Sequence, residues 1–148
     1  MIRLLHNTKQ DFCLLVSYLN LVDKDFGVPL SQKQNLEVYA TKLLDKGMVL
    51  GVIENDEIVS CIGFYCNDIE NGIAYISMMS TFLKARGKGY AKSLLEEIIK
   101  ICREKGFKAI ISSSINPVAI SLYKSVGYEE MNRETTDNNE CVVLKYVL

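Results

Sequence analysis

Hydrophobic positions along the chain switch between helical spacing and short, nearly continuous runs, and the order of those stretches predicts a mixed α/β domain. Ile2 to Leu5 reads as a short strand. Thr8 with Asp11 then forms a capping-box start for an amphipathic helix reaching about Asn20. Ser31 with Gln34 repeats that signal for a second helix, which runs to about Lys46 and ends at Gly47. Between the helices, Leu21 to Leu30 is left as an irregular, exposed loop containing Asp23, Asp25, Phe26 and Pro29. The rhythm then becomes that of strands: Met48 to Glu54 and Ile58 to Cys66, joined by a hairpin signal at Asn55-Asp56. A third run, Ile73 to Leu83, follows the Asn71-Gly72 turn.

Helical spacing returns at Ala91, Leu94, Leu95, Ile98, Ile101 and Cys102, the buried stripe of a helix that starts at Tyr90 and stops at Gly106. Ala109 to Ser114 is the next strand. Asn116 is a natural N-cap, Pro117 suits the first helical position, and Gly127 is placed for a left-handed residue after the last turn of a further helix. Two closing strands, near Glu129 to Glu134 and Glu140 to Tyr146, flank a polar turn from Thr135 to Asn139. No linker, repeat or low-complexity tract interrupts the chain, so residues 1–148 are expected to form a single domain.

The chemistry concentrates in Arg86-Gly87-Lys88-Gly89-Tyr90-Ala91, between an apolar strand and a strongly amphipathic helix. N-H groups in a first helical turn have no intrahelical acceptor, and the helix dipole adds partial positive charge there. Gly87 and Gly89 let that backbone close on an anion, with Arg86 and Lys88 as nearby charges. A phosphorylated cofactor fits; the plain alternative is a glycine-containing turn with solvated basic residues. A dinucleotide fingerprint would need glycine at position 92, which is Lys, and no acidic residue follows at the expected distance. No window supplies the glycine-rich loop of nucleoside-triphosphate enzymes either.

Arg86, Gly89 and Ala91 match the first conserved block of the GNAT superfamily, the acetyl-CoA-dependent N-acetyltransferases, at each defined position. Asn116, Ala119, Leu122, Tyr123, Gly127 and Tyr128 resemble its second block, and the separation of the blocks by one helix and one strand also fits. The resemblance covers roughly Gly47 to Tyr128, and the paired motifs are far more specific than either alone. It implies an acyl-CoA N-acyltransferase fold: a central, mostly antiparallel sheet splayed between its fourth and fifth strands, flanked by about four helices. The slot at the splay would take the pantetheine arm. By the same resemblance, the main chain of Gly87, Gly89, Tyr90 and Ala91 binds the CoA pyrophosphate, with Arg86 or Lys88 adding charge. Main-chain groups of Met79 and Thr81 pair with pantetheine and polarise the thioester carbonyl, and Asn116 contacts the pantetheine arm beside its capping role. Tyr123 gives a proton to the departing thiolate.

The acceptor and the general base are less legible. Some histone-modifying relatives carry a glutamate in the strand before the glycine loop; here Tyr75 takes its place, and no carboxylate occurs from Ile73 to Leu83. Asp23, Asp25 and Glu54 remain candidates by general location, with a water chain as the alternative. An amine of low pKa, such as an aminosugar or aromatic amine, needs less help from a base than a lysine side chain. Acceptor choice is expected in the first two helices and the loop between them, where Asp23 and Asp25 would attract a cationic amine and Tyr18 and Phe26 would stack on a ring, with Tyr75 nearby. Each has an ordinary structural reading as well. The resulting expectation is acetyl transfer to a primary amine of a small molecule. The alternatives are a protein or peptide amino group, an inactive CoA-binding module, or an interaction protein independent of CoA.

Composition adjusts this picture only at its edges. A net charge of -1 and a pI near 5.9, with basic residues spread along the chain, give no electrostatic reason to expect nucleic acid as a partner. No apolar run is long enough to span a bilayer and no export segment is evident, so a cytoplasmic protein is expected. Five irregularly spaced cysteines do not look like a disulfide framework. With one histidine, His6, and no Cys-x-x-Cys, neither a metal site nor a cysteine nucleophile is expected. A homodimer through the closing strands is an open arrangement in a fold with exposed sheet edges.

Overall fold

The computed structural model describes residues 1–136 and 139–148. Seven strands form one sheet in the spatial order β1-β2-β3-β4-β5-β7-β6: β1 (Ile2–Leu4), β2 (Met48–Glu54), β3 (Glu57–Asp68), β4 (Ile73–Thr81), β5 (Ala109–Ser114), β6 (Glu129–Thr136) and β7 (Asn139–Val147). All neighbours are antiparallel except β4 and β5. The helices are α1 (Lys9–Val22), α2 (Leu30–Lys33), α3 (Leu36–Lys46), α4 (Tyr90–Glu104) and α5 (Pro117–Val126). No helix among the described residues is long and apolar enough to cross a membrane.

Both sheet faces are covered, which is why the middle strands read as continuous apolar runs rather than alternating ones. On one face α4 and α5 pack Leu94, Leu95, Ile98 and Tyr123 against Leu50, Ile62, Phe64 and Ala74. On the other, α1 and α3 pack Leu15, Leu19, Tyr39 and Leu43 against Val49, Cys61 and Met78. Cys61 and Cys66 of β3 fall on these opposite faces. Asn55 and Asp56 both take positive φ, 51° and 63°, the conformation of the tight hairpin turn that joins β2 to β3.

Several local expectations need correction. The Thr8 hydroxyl caps α1 by accepting from Asp11 N-H at 3.2 Å, but the Asp11 carboxylate does not return to Thr8. It accepts from His6 N-H at 2.7 Å and from both Arg3 guanidinium nitrogens, pinning β1 to the helix. The helix expected from Ser31 is two helices: Gln34 is extended, Asn35 caps α3 through Glu37 N-H and Val38 N-H, and Ser31 donates its hydroxyl to Asp23. The strand expected to reach Leu83 ends at Thr81, followed by a 3-10 turn at Leu83–Ala85. Thr135, Thr136 and Asn139, expected in a turn, belong to β6 and β7, and residues 137 and 138 of that turn lie outside the described residues.

Candidate functional site

One irregularity in β4 opens the site. Opposite β3, Gly63 pairs with Met78 and Phe64 with Ile76, so Ser77 is an extra residue, a bulge that bends the strand. On its other side β4 pairs with β5 only from Ile73↔Ala109 to Tyr75↔Ile111, and the ladder stops just before the bulge. Beyond Tyr75 the edge of β4 that faces β5 has no strand partner among the described residues, which exposes its main-chain groups, apart from the Thr81 O engaged by Arg86, to a ligand. The result is a cleft of about 750 Å³ running between Ile76–Thr81 and Ser112–Asn116. Ser77 itself is held from α3, its hydroxyl 2.5 Å from that of Tyr39.

The glycine turn forms one end of this cleft. Gly87 and Gly89 have φ of 81° and 80°, and a Cβ on either would meet nothing within 4 Å. Their requirement for glycine is therefore torsional, and the space beside them is open. The first helical bond of α4 runs from Ser93 N-H to Gly89 O, so the preceding N-H groups have no helical acceptor. Thr8, Asn35 and Asn116 cap α1, α3 and α5 with their side chains, whereas no side chain caps α4. The two flanking cations are directed elsewhere. Arg86 donates Nε-H to Thr81 O at 3.1 Å and pairs with Asp25 at 3.9 Å. Lys88 pairs with Glu54 at 3.8 Å, the same carboxylate to which the Tyr90 hydroxyl donates, and it does not line the cleft. Met79, Thr81, Arg86, Gly87, Gly89, Tyr90, Ala91 and Asn116 all do.

Tyr123 reaches the cleft from α5 and is 3% exposed. Its ring stacks edge-on against Tyr128 at 5.1 Å, and Tyr128 N-H closes the helix on Tyr123 O at 3.0 Å. Burial pushes its hydroxyl up to about 12, with a hydrogen bond to Ser112 pulling the other way. It therefore stays protonated at neutral pH, as a proton donor must. Asn116 spends its side-chain oxygen on Val118 N-H at 2.9 Å.

The strap between α1 and α3, where acceptor choice is expected, contributes to the cleft. Asp25 and Phe26 line the cleft, as do Gly27, Val28, Leu30 and Lys33. The remaining acceptor-side residues expected from sequence are not brought there. Tyr18 is 2% exposed, packed in the core beside Leu15 and Leu19, and burial raises its hydroxyl well above the ordinary tyrosine range. Asp23 accepts from Ser31 N-H and hydroxyl, tying down α2, contacts that lower its pKa. Tyr75 sits in the paired part of β4, outside the cleft, and Glu54 is held at the start of α4. Ser77, Ser112, Glu134 and Cys141 line the cleft without having been singled out from sequence. Ser77 carries no signal because a bulge is set by strand pairing and not by residue type, and Glu134 lies outside both motifs. His6 is exposed, and among the described residues no group of His, Cys, Asp and Glu is arranged to hold a metal ion. Cys61 is fully buried, which pushes its thiol up to about 12 and makes it a poor nucleophile.

Comparison with known proteins places this arrangement. The profile of the Acetyltransferase (GNAT) family matches residues 15–128. No curated protein matches the chain. Among solved structures, a GNAT-family acetyltransferase from Streptococcus pneumoniae superposes with a TM-score of 0.82 at 17% identity, covering 100% of this chain and 98% of that one. The ribosomal-protein-S18-alanine N-acetyltransferase of Escherichia coli superposes at 0.75 and 13% identity, covering 99% and 94%. An acetyltransferase from Bacillus anthracis, solved in complex with acetyl coenzyme A, superposes at 0.61 and 16% identity over 70% of this chain and 63% of that one.

Proposed function

The chain belongs to the Acetyltransferase (GNAT) family, and we propose that it moves the acetyl group of acetyl-CoA to a primary amine of a small molecule by direct attack in a ternary complex. One observation carries the site assignment: α4, alone among the long helices, has no side-chain cap, and its bare N-terminus opens on a cleft that starts at the Ser77 bulge and is lined by Tyr123. In this reading the main-chain N-H groups of Gly87, Gly89, Tyr90 and Ala91 hold the pyrophosphate. Met79 and Thr81 offer main-chain groups from the unpaired edge of β4 to the pantetheine arm and the thioester carbonyl, and Asn116 flanks the arm from the start of α5. When bound, acetyl-CoA supplies an acyl group on a good leaving thiolate. Tyr123 donates its phenolic proton to the departing sulfur.

Among the described residues no histidine lines the cleft, and of its carboxylates Asp25 already faces Arg86, leaving Glu134 of β6. An acceptor that is largely unprotonated near neutrality, such as an aminosugar or aromatic amine, suits such a site better than a lysine side chain. A protein amino group is the second reading, favoured by structural neighbours that are ribosomal-protein-alanine N-acetyltransferases. Release of CoA thiol measured across aminosugars, aromatic amines, lysyl peptides and alanine-terminated peptides separates the two. Faster turnover of the first two groups is expected. Faster turnover of the peptides would replace the small-molecule reading with the protein one.

A further inference from the structure

The strap from Asp23 to Leu30 crosses the cleft and touches both of its sides. At Asp25 it meets Arg86, whose Nε-H is simultaneously bonded to Thr81 O at 3.1 Å while Nη2 lies 3.9 Å from the carboxylate. At Gly27 it lies so close to the β5–α5 corner that an added Cβ would stand 2.3 Å from Ile115 Cδ1. Beyond these points Asp23 fastens its own segment by accepting from Ser31. The guanidinium of Arg86 is thus hydrogen-bonded to the end of β4 and ion-paired with the strap.

We infer that Arg86 is a positioning residue for the acceptor side, a strut that fixes the Asp25–Val28 part of the strap over the cleft, rather than a ligand of the cofactor's phosphates. The inference rests on the cofactor reading of the Gly87–Ala91 turn, and it moves the anion's recognition onto main-chain N-H groups. A planar guanidinium suits a strut because one edge can donate to a carbonyl while its delocalised charge faces a carboxylate. Both partners are substantially solvated, so the ion pair alone is a weak tie; its value lies in working together with the Thr81 hydrogen bond and the Gly27–Ile115 contact.

The test compares Arg86→Ala, Arg86→Gln, Asp25→Asn and the Arg86→Ala/Asp25→Asn double variant with the unmodified protein. Two quantities are read: amide hydrogen exchange of the Asp25–Val28 segment and the acetyl-CoA dissociation constant from calorimetry. Arg86→Ala and Asp25→Asn are each expected to speed exchange of the strap about three- to fivefold, with the double variant no faster than the worse single. Arg86→Gln, which retains planar N-H donors, should recover part of the protection. Acetyl-CoA affinity should stay within about threefold in all four. For any amine found to turn over, the amine's KM should rise while that of acetyl-CoA holds. Strap exchange unchanged by Arg86→Ala, or a tenfold or greater loss of acetyl-CoA affinity, overturns the inference. Absence of acetyl-CoA binding by the unmodified protein would instead refute the cofactor reading, and the exchange comparison would still judge the strut.

Discussion

Gly89→Ala and Gly106→Ala form a matched pair of substitutions on the two ends of α4. Gly89 precedes the helix with φ 80°, Gly106 follows it with φ 78°, and a Cβ at either position meets nothing within 4 Å. The torsional cost of an alanine in the left-handed region, roughly 1–2 kcal/mol, should therefore be the same for both. In a chain of 148 residues that corresponds to a Tm lowered by about 2–8 °C. Only Gly89 lines the cleft. There the new methyl group stands in the open space beside the uncapped N-H groups and displaces an anion from at least one of them. A charge-assisted hydrogen bond contributes about 1.5–3 kcal/mol, so acetyl-CoA should bind Gly89→Ala roughly tenfold to a hundredfold more weakly. Calorimetric titration of both variants, with their melting curves, checks this. Equal acetyl-CoA affinity in two folded, equally destabilised variants would refute the claim that the start of α4 holds the cofactor.

Tyr123→Phe should lower kcat by roughly a hundredfold while leaving acetyl-CoA affinity close to that of the unmodified enzyme, since only the proton is removed. Because burial holds the Tyr123 hydroxyl near 12, its loss of a proton should not cut into the rate until pH approaches that value, and a tyrosine-dependent decline near pH 9 would count against its role. Asp11 is held below its ordinary pKa chiefly by the Arg3 hydrogen bonds, with burial opposing. Its contribution to stability is complete above the unfolded-state value of about 3.9 and is lost as pH falls through the lower folded value. Urea unfolding of Asp11→Asn should show about 1–2 kcal/mol less stability at neutral pH and a smaller loss on acidification. Asp56→Gly relieves a non-glycine residue at φ 63° in the hairpin turn and should raise Tm by a few degrees, about 0.5–1 kcal/mol; an unchanged or lower Tm would mean that the turn is set by something other than its torsions.

The parts of the fold that sequence reveals are those governed by local rules. Thr8, Asn116 and Gly127 act at the helix ends where capping chemistry places them, and the stripe Leu94, Leu95, Ile98 and Cys102 is buried as its spacing implies. Asn35, as good a cap as Ser31, divides one expected helix into two. The spacing of Tyr18 with Leu15, Leu19 and Val22 puts its ring on the core face and not at the acceptor. Features that depend on strand pairing leave little local trace. Ser77 looks no different in sequence from Ser80 or Thr81 of the same strand, yet its bulge coincides with the point where β4 and β5 part. The motifs put Arg86 and Lys88 in the glycine turn, but their carboxylate partners, Asp25 and Glu54, lie more than thirty residues away in the chain and only folding brings them together.

Thermal unfolding of the unmodified protein with acetyl-CoA, with CoA and with NADH as comparison tests the central claim most directly. A ligand held only by the folded state at a hundred times its dissociation constant adds about 2.7 kcal/mol, which predicts a Tm raised by about 5–11 °C with acetyl-CoA and CoA and unchanged with NADH. No shift at millimolar acetyl-CoA, or an equal shift with NADH, would contradict the assignment of the α4 N-terminus and the β4–β5 cleft to the acetyl-CoA cofactor.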